Sequence, residues 1–292
     1  MSASATDTLR PYRSVLYIPG SRERAMEKAR ELAVDAIIFD LEDAVSPDEK
    51  ARARAMVAEM LRTTDFGPRA RIVRINALDT EWGRDDVAAF RGVPVDAILI
   101  PKVSHQVHVE AVAALIPDVP LWAMMETAIV AWHAAEIAAH PRIAGFVVGT
   151  NDLAKDIGAR YRPDREPLLT AISLCLLAGK AYGRIVVDGV YNAFKDDEGL
   201  RRECNQGRDM GFDGKTLIHP AQVAIANEVF APSEEEIDLA RRHTAAYEEA
   251  EREGRGVAVV DGRIVEKLHV VAAQRILARA AAIARVREGA PS

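Results

Sequence analysis

The chain has 292 residues, with 38 Lys and Arg against 44 Asp and Glu, for a formal net charge of −6 with histidine neutral. That balance, without a basic run, excludes an electrostatic footprint for nucleic acid, and no apolar stretch approaches the ~20 residues of a membrane span or a secretory leader. A hydrophobic share of 49% supports a large core, and two cysteines, Cys175 and Cys204, make no disulfide framework or metal spacing, so a reduced, cytoplasmic enzyme is expected.

Short β-rich apolar runs alternate with longer stretches rich in Ala, Glu, Arg and Leu. The runs predict strands at 13–18, 36–43, 71–76, 97–102, 121–127, 145–153, 185–191 and 212–219. Stretches such as 22–34, 47–61 and 168–182 read as helices. Near-continuous apolar runs such as Ala36 to Phe39 suit parallel strands buried on both faces. Eight βα units in succession predict a closed (β/α)8 TIM barrel over 1–232, with a doubly wound open sheet as the alternative. A C-terminal helical extension follows over 233–292. Ser233 and Glu236 form a capping box that opens a charged helix. An Asp261-Gly262 turn then precedes a last Ala-rich helix from about Lys267 to Val286. The tail is long enough to reach a barrel mouth, its own or a neighbour's.

In such a barrel the chemistry sits at the C-terminal ends of the strands. Acidic groups gather there: Asp40, Glu42, Asp43, Glu126 and Asp152. Crowded carboxylates repel unless a cation or protons compensate, and an all-oxygen set suits Mg²⁺ better than Zn²⁺. Glu126 and Asp152 stand one βα repeat apart. Spacing alone leaves two readings open: a Mg²⁺ site, or a helix cap and a turn. Arg74, between Val73 and Ile75, either grips a substrate carboxylate or pairs with Asp40, Glu42 or Asp43. The IPGSR segment at 18–22 offers a turn and a basic helix start, which fits an anion or an ordinary loop equally. Gly214-Lys215-Thr216 is not a P-loop, because Asp209 occupies the position of its first glycine. Among seven histidines only His219 falls near the expected mouth.

Six segments together carry a family resemblance: RSVLYIPGS (13–21), DLEDAV (40–45), RIN (74–76), META (125–128), GTNDL (149–153) and GKTLIHP (214–220). They resemble the citrate lyase β-subunit-like branch of the HpcH/HpaI aldolase superfamily, which includes malyl-CoA, citramalyl-CoA and citryl-CoA lyases. Within the branch the chain is most similar to the thioesterase members. The resemblance implies a Mg²⁺-dependent barrel acting on a CoA thioester, assembled as a homo-oligomer (trimer or hexamer). It makes Glu126 and Asp152 the metal ligands and Arg74 the carboxylate binder. It places Tyr17, Ile18, Arg22 and Lys28 on the CoA side, Asn151, Ile218 and His219 near the substrate, and Asp43 on water at the metal. Family lyases carry a catalytic Asp in the C-terminal segment, given to a neighbouring subunit, and Glu266 stands at that position here. The expected activity is carbon–carbon cleavage of malyl-CoA-type thioesters to acetyl-CoA and an oxoacid. The alternative is hydrolysis of malyl-CoA to malate and CoA.

Overall fold

The computed structural model describes residues 10–288. Residues 1–9 and 289–292, which the sequence reading places at the ends of barrel and tail, lie outside the described residues. Eight strands form one closed sheet in sequence order: β1 (Ser14–Pro19), β2 (Ala36–Asp40), β3 (Ala70–Arg74), β4 (Ala97–Ile100), β5 (Leu121–Met125), β6 (Ile143–Val148), β7 (Ile185–Asp188) and β8 (Gly214–Leu217). All neighbours are parallel, and β8 closes on β1 through Val15 opposite Thr216. Around them run α1 (Glu23–Ala29), α2 (Lys50–Thr63), α3 (Gly83–Ala89), α4 (Gln106–Leu115), α5 (Val130–Ala139), α6 (Thr150–Asp156), α7 (Leu169–Ala181), α8 (Asp197–Met210) and α9 (Val223–Val229). This is the (β/α)8 barrel, not the open sheet.

The two-residue period of a strand divides the core in two. Val15, Ile38, Ile72, Leu99, Met124 and Val147 pack inside the barrel around Trp122. Their neighbours of opposite parity, Leu16, Ile18, Phe39, Val73, Ile98 and Val148, pack between sheet and helices. Trp122 has room because Gly145 faces it: a Cβ there would sit 2.5 Å from Cε2. One period beyond the inner layer come Tyr17, Asp40, Arg74, Glu126 and Gly149. The same alternation that fills the barrel thus aims these groups at its mouth.

From β2 to β8 the strands end two to five residues earlier than the apolar runs predict. The cause is local chemistry at each end. Asp40 accepts the backbone N–H groups of Glu42 and Ala44, which turns the chain out of the sheet. Asp152 therefore lies in the first turn of α6, not at a strand end.

Residues 231–288, together with 10 and 11, form a unit separate from 12–230. Helix α10 (Glu234–Arg252) opens with the expected capping box, Ser233 N–H to Glu236 at 2.7 Å and Glu236 N–H to Ser233 Oγ at 3.2 Å. Strands β9 (Ala258–Val260) and β10 (Arg263–Val265) pair as a hairpin around Asp261 and Gly262. Both turn residues have positive φ, 49° and 74°, as a two-residue primed turn requires. Helix α11 (Lys267–Glu288) completes the unit. Among the described residues no helix is long and apolar enough to cross a membrane.

Candidate active site

A cavity of about 400 Å³ opens at the barrel mouth. Tyr17, Asp43, Arg74, Glu126, Asn151, Asp152 and Ile218 line it, together with Asp40, Thr150 and Thr216. Five expected residues are not in its lining. Ile18 has the outward parity and packs in the layer between sheet and helices. Arg22 and Lys28 are exposed at and on α1. His219 is exposed and uses Nδ1 to accept the N–H of Ala221, while its ring stacks on Phe194 at 4.6 Å. Glu266 is exposed in the separate tail unit, between β10 and α11.

Arg74 is 7% exposed and fully engaged in charge. Its Nε and Nη2 donate to Asp40 at 2.7 and 2.6 Å, the two-pronged geometry of a guanidinium on a carboxylate. Its Nη1 lies 2.8 Å from Glu42 and 3.6 Å from Asp43. Both readings of Arg74 therefore meet at one side chain: it is an ion-pair partner that also lines the cavity. Burial opposes its charge, yet Asp40 holds its pKa well above the usual value. Its guanidinium carbon also stands 5.0 Å over the Tyr17 ring.

Glu126, directly after β5, is 2% exposed. Its Oε1 accepts the backbone N–H of Lys102 at 2.7 Å. Its Oε2 occupies space that only Gly149 leaves open, since a Cβ at that glycine would lie 2.5 Å away. Burial pushes the Glu126 carboxyl up to about 8, helped by the negative charges of Glu42 and, more weakly, Asp152. Burial also raises Glu42, whose Oε2 lies against Arg74 without an aligned hydrogen bond.

This donor set fits a hard divalent cation. A buried carboxyl and the half-buried Asp152 share one cavity with further carboxylates, so the charge of a bound cation would offset the burial that disfavours an ionised Glu126. No set of three or more metal-ligating side chains is present among the described residues. Mg²⁺ takes one or two carboxylates and completes its shell with water and substrate oxygens, and Glu126 with Asp152 would supply the carboxylates.

Lys102, the last residue of the strand expected over 97–102, has no role assigned from sequence. It borders a neighbouring cavity of about 720 Å³ together with Glu42 and Asp43. The signal was its place two residues past the end of β4, where side chains of this fold meet ligands.

Comparison with known proteins places these features in a family. The pattern of the HpcH/HpaI aldolase/citrate lyase family matches residues 13–220. A "(3S)-malyl-CoA thioesterase" of Cereibacter sphaeroides is 68% identical over 94% of this chain and 96% of its own length. An "L-malyl-CoA/beta-methylmalyl-CoA lyase" of the same organism is 36% identical over 93% of this chain and 95% of its own length. Among solved structures, protein CitE of Mycobacterium tuberculosis in complex with magnesium, acetoacetate and coenzyme A is similar at TM-score 0.78 and 32% identity, over 93% of this chain and 98% of that one. The chain belongs to the HpcH/HpaI aldolase/citrate lyase family.

Proposed function

We propose that this protein is a Mg²⁺-dependent hydrolase of (3S)-malyl-CoA, releasing malate and CoA. The sequence reading puts carbon–carbon cleavage first. The order is reversed here by one observation: the relative named a thioesterase is 68% identical, against 36% for the relative named a lyase. The family likeness to a protein solved with magnesium and coenzyme A supports the ion and the thioester.

In this reading Glu126 and Asp152 hold the ion. When bound, Mg²⁺ polarises the substrate oxygens against it. Arg74 binds the malyl carboxylate, either through Nη1 or by exchanging it for Asp40 on its fork. Asp43, more than half exposed at 58%, accepts hydrogen bonds from water in the cavity. Tyr17, Asn151 and Ile218 bound the acyl end, and the backbone around Ile18, with Arg22, Lys28 and His219, meets the CoA arm. The protein acts in the cytoplasm as a homo-oligomer, trimer or hexamer, in which Glu266 serves a neighbour's mouth. There the Glu266 carboxylate takes a proton from water as the water oxygen bonds to the thioester carbonyl carbon. The C–S bond then breaks, and the same carboxyl returns the proton to the CoA sulfur.

A second reading, cleavage to acetyl-CoA and glyoxylate, is favoured by the relative named a lyase. In that reaction the Glu266 carboxyl protonates carbon instead of sulfur. The proposal is tested by following free thiol from (3S)-malyl-CoA. Thiol release that stops in EDTA and returns with Mg²⁺ is the expected result. No thiol release with Mg²⁺ present would overturn it.

A further inference from the structure

Lys102 adopts the left-handed backbone region, with φ of 50°. A side chain with a Cβ pays for that conformation, and lysine is not among the residues that visit it readily. Something must hold it there. The ammonium donates to Glu42 Oε1 at 2.7 Å and lies 4.0 Å from Asp43. Ser104 Oγ donates to the Lys102 carbonyl at 3.4 Å and contacts Thr127 Oγ1, next to Glu126, at 3.2 Å. Held this way, the Lys102 backbone N–H meets Glu126 Oε1 at 2.7 Å. On the opposite side Gly149 closes against Glu126 Oε2. Glu126 is therefore gripped from two directions, by a strained N–H and by a glycine.

The geometry points to Lys102 as a positioning residue: its ammonium, tied to Glu42, holds a left-handed backbone whose N–H fixes the Glu126 carboxylate for Mg²⁺. This rests on the reading that Glu126 is a ligand of the ion. The side chain serves only to hold the backbone, so a residue that takes positive φ without help can replace it. Glycine and asparagine do so, whereas alanine resists and valine resists more.

The test is calorimetric titration of Mg²⁺ into the ligand-free protein, for wild type and for Lys102→Gly, Lys102→Asn, Lys102→Ala and Lys102→Val. Glu126→Gln is the reference for a lost ligand. All four Lys102 variants lack the ammonium, so differences among them report the backbone. Lys102→Gly and Lys102→Asn are expected to bind Mg²⁺ close to wild type. Lys102→Ala and Lys102→Val are expected to bind about 10–100-fold more weakly, the usual cost of losing a partner that orients a metal ligand. If Lys102→Val fails to fold, the comparison of Ala with Gly and Asn decides alone. Equal affinity across the series, or a Gly variant as weak as Ala, overturns the inference while leaving the metal site standing. A wild-type protein that binds no Mg²⁺ overturns both together.

Discussion

At Glu126 a buried carboxyl raised to about 8 keeps its proton at neutral pH in the metal-free protein. An unfolded glutamate titrates near ~4.3. Between those values the folded chain binds more protons than the unfolded one, so this group's contribution to stability falls as pH rises through that window. Mg²⁺ has to displace that proton, which makes its binding stronger as pH rises toward 8. Thermal unfolding therefore shows a larger Mg²⁺-induced rise in Tm above pH 8 than near pH 6. Equal rises would contradict a protonated Glu126. Glu126→Gln and Asp152→Asn are expected to abolish turnover with the fold intact by circular dichroism, because one remaining carboxylate holds a hard cation too weakly to orient substrate. Full activity in either variant sinks the assignment. Arg74→Lys replaces a planar fork by a point charge. Its kcat/KM is expected to fall by a factor worth at least ~2 kcal/mol, the scale of a charged hydrogen bond. An unchanged kcat/KM would make Arg74 an ion-pair partner of Asp40 and nothing more.

At the scale of elements, β7 and β8 are joined to α8 by charge. Lys215, fully buried, donates to Asp188 at 3.0 Å and to Glu203 at 2.6 Å, and Arg165 donates to both oxygens of Asp188. Removing one member strands the others in a medium that solvates charge poorly. Lys215→Met is expected to cost about 3–5 kcal/mol in denaturant unfolding. A loss below about 1 kcal/mol, the value of a surface pair, would show that water reaches the network. None of this was legible beforehand, because Arg165, Asp188, Glu203 and Lys215 are scattered through the sequence and only barrel closure brings them together. The strands themselves were legible, since runs such as Ala97 to Ile100 are too apolar for anything but a buried sheet. Their ends were not: the strand expected over 145–153 runs through Thr150 to Leu153, yet Gly149 ends the strand and Thr150 opens α6. Once one inward residue is known on each strand, such as Val15, Ile72 or Met124, parity separates inward Arg74 and Glu126 from outward Ile18.

At the scale of the whole molecule, the barrel carries Glu126, Asp152 and Arg74, while Glu266 lies in the separate tail unit. If Glu266 serves a neighbour's mouth, as proposed, the site is incomplete in a monomer, and dilution below the dissociation constant of the oligomer is expected to abolish activity. Glu266→Gln is expected to lower kcat by about 10²- to 10⁴-fold, the range of a general acid–base group, with a smaller change in substrate affinity. Mixing inactive Glu266→Gln with inactive Glu126→Gln subunits is expected to restore partial activity, because some mouths then pair both intact groups. No recovery despite measured subunit exchange would mean that Glu266 serves its own barrel or none. The central claim is hydrolysis at this mouth, and the partition of products tests it most directly. Purified protein is given (3S)-malyl-CoA and Mg²⁺, with free thiol and glyoxylate followed separately in the same reaction. The account predicts thiol in step with substrate loss and no glyoxylate. Glyoxylate in step with substrate loss, without thiol, would contradict it.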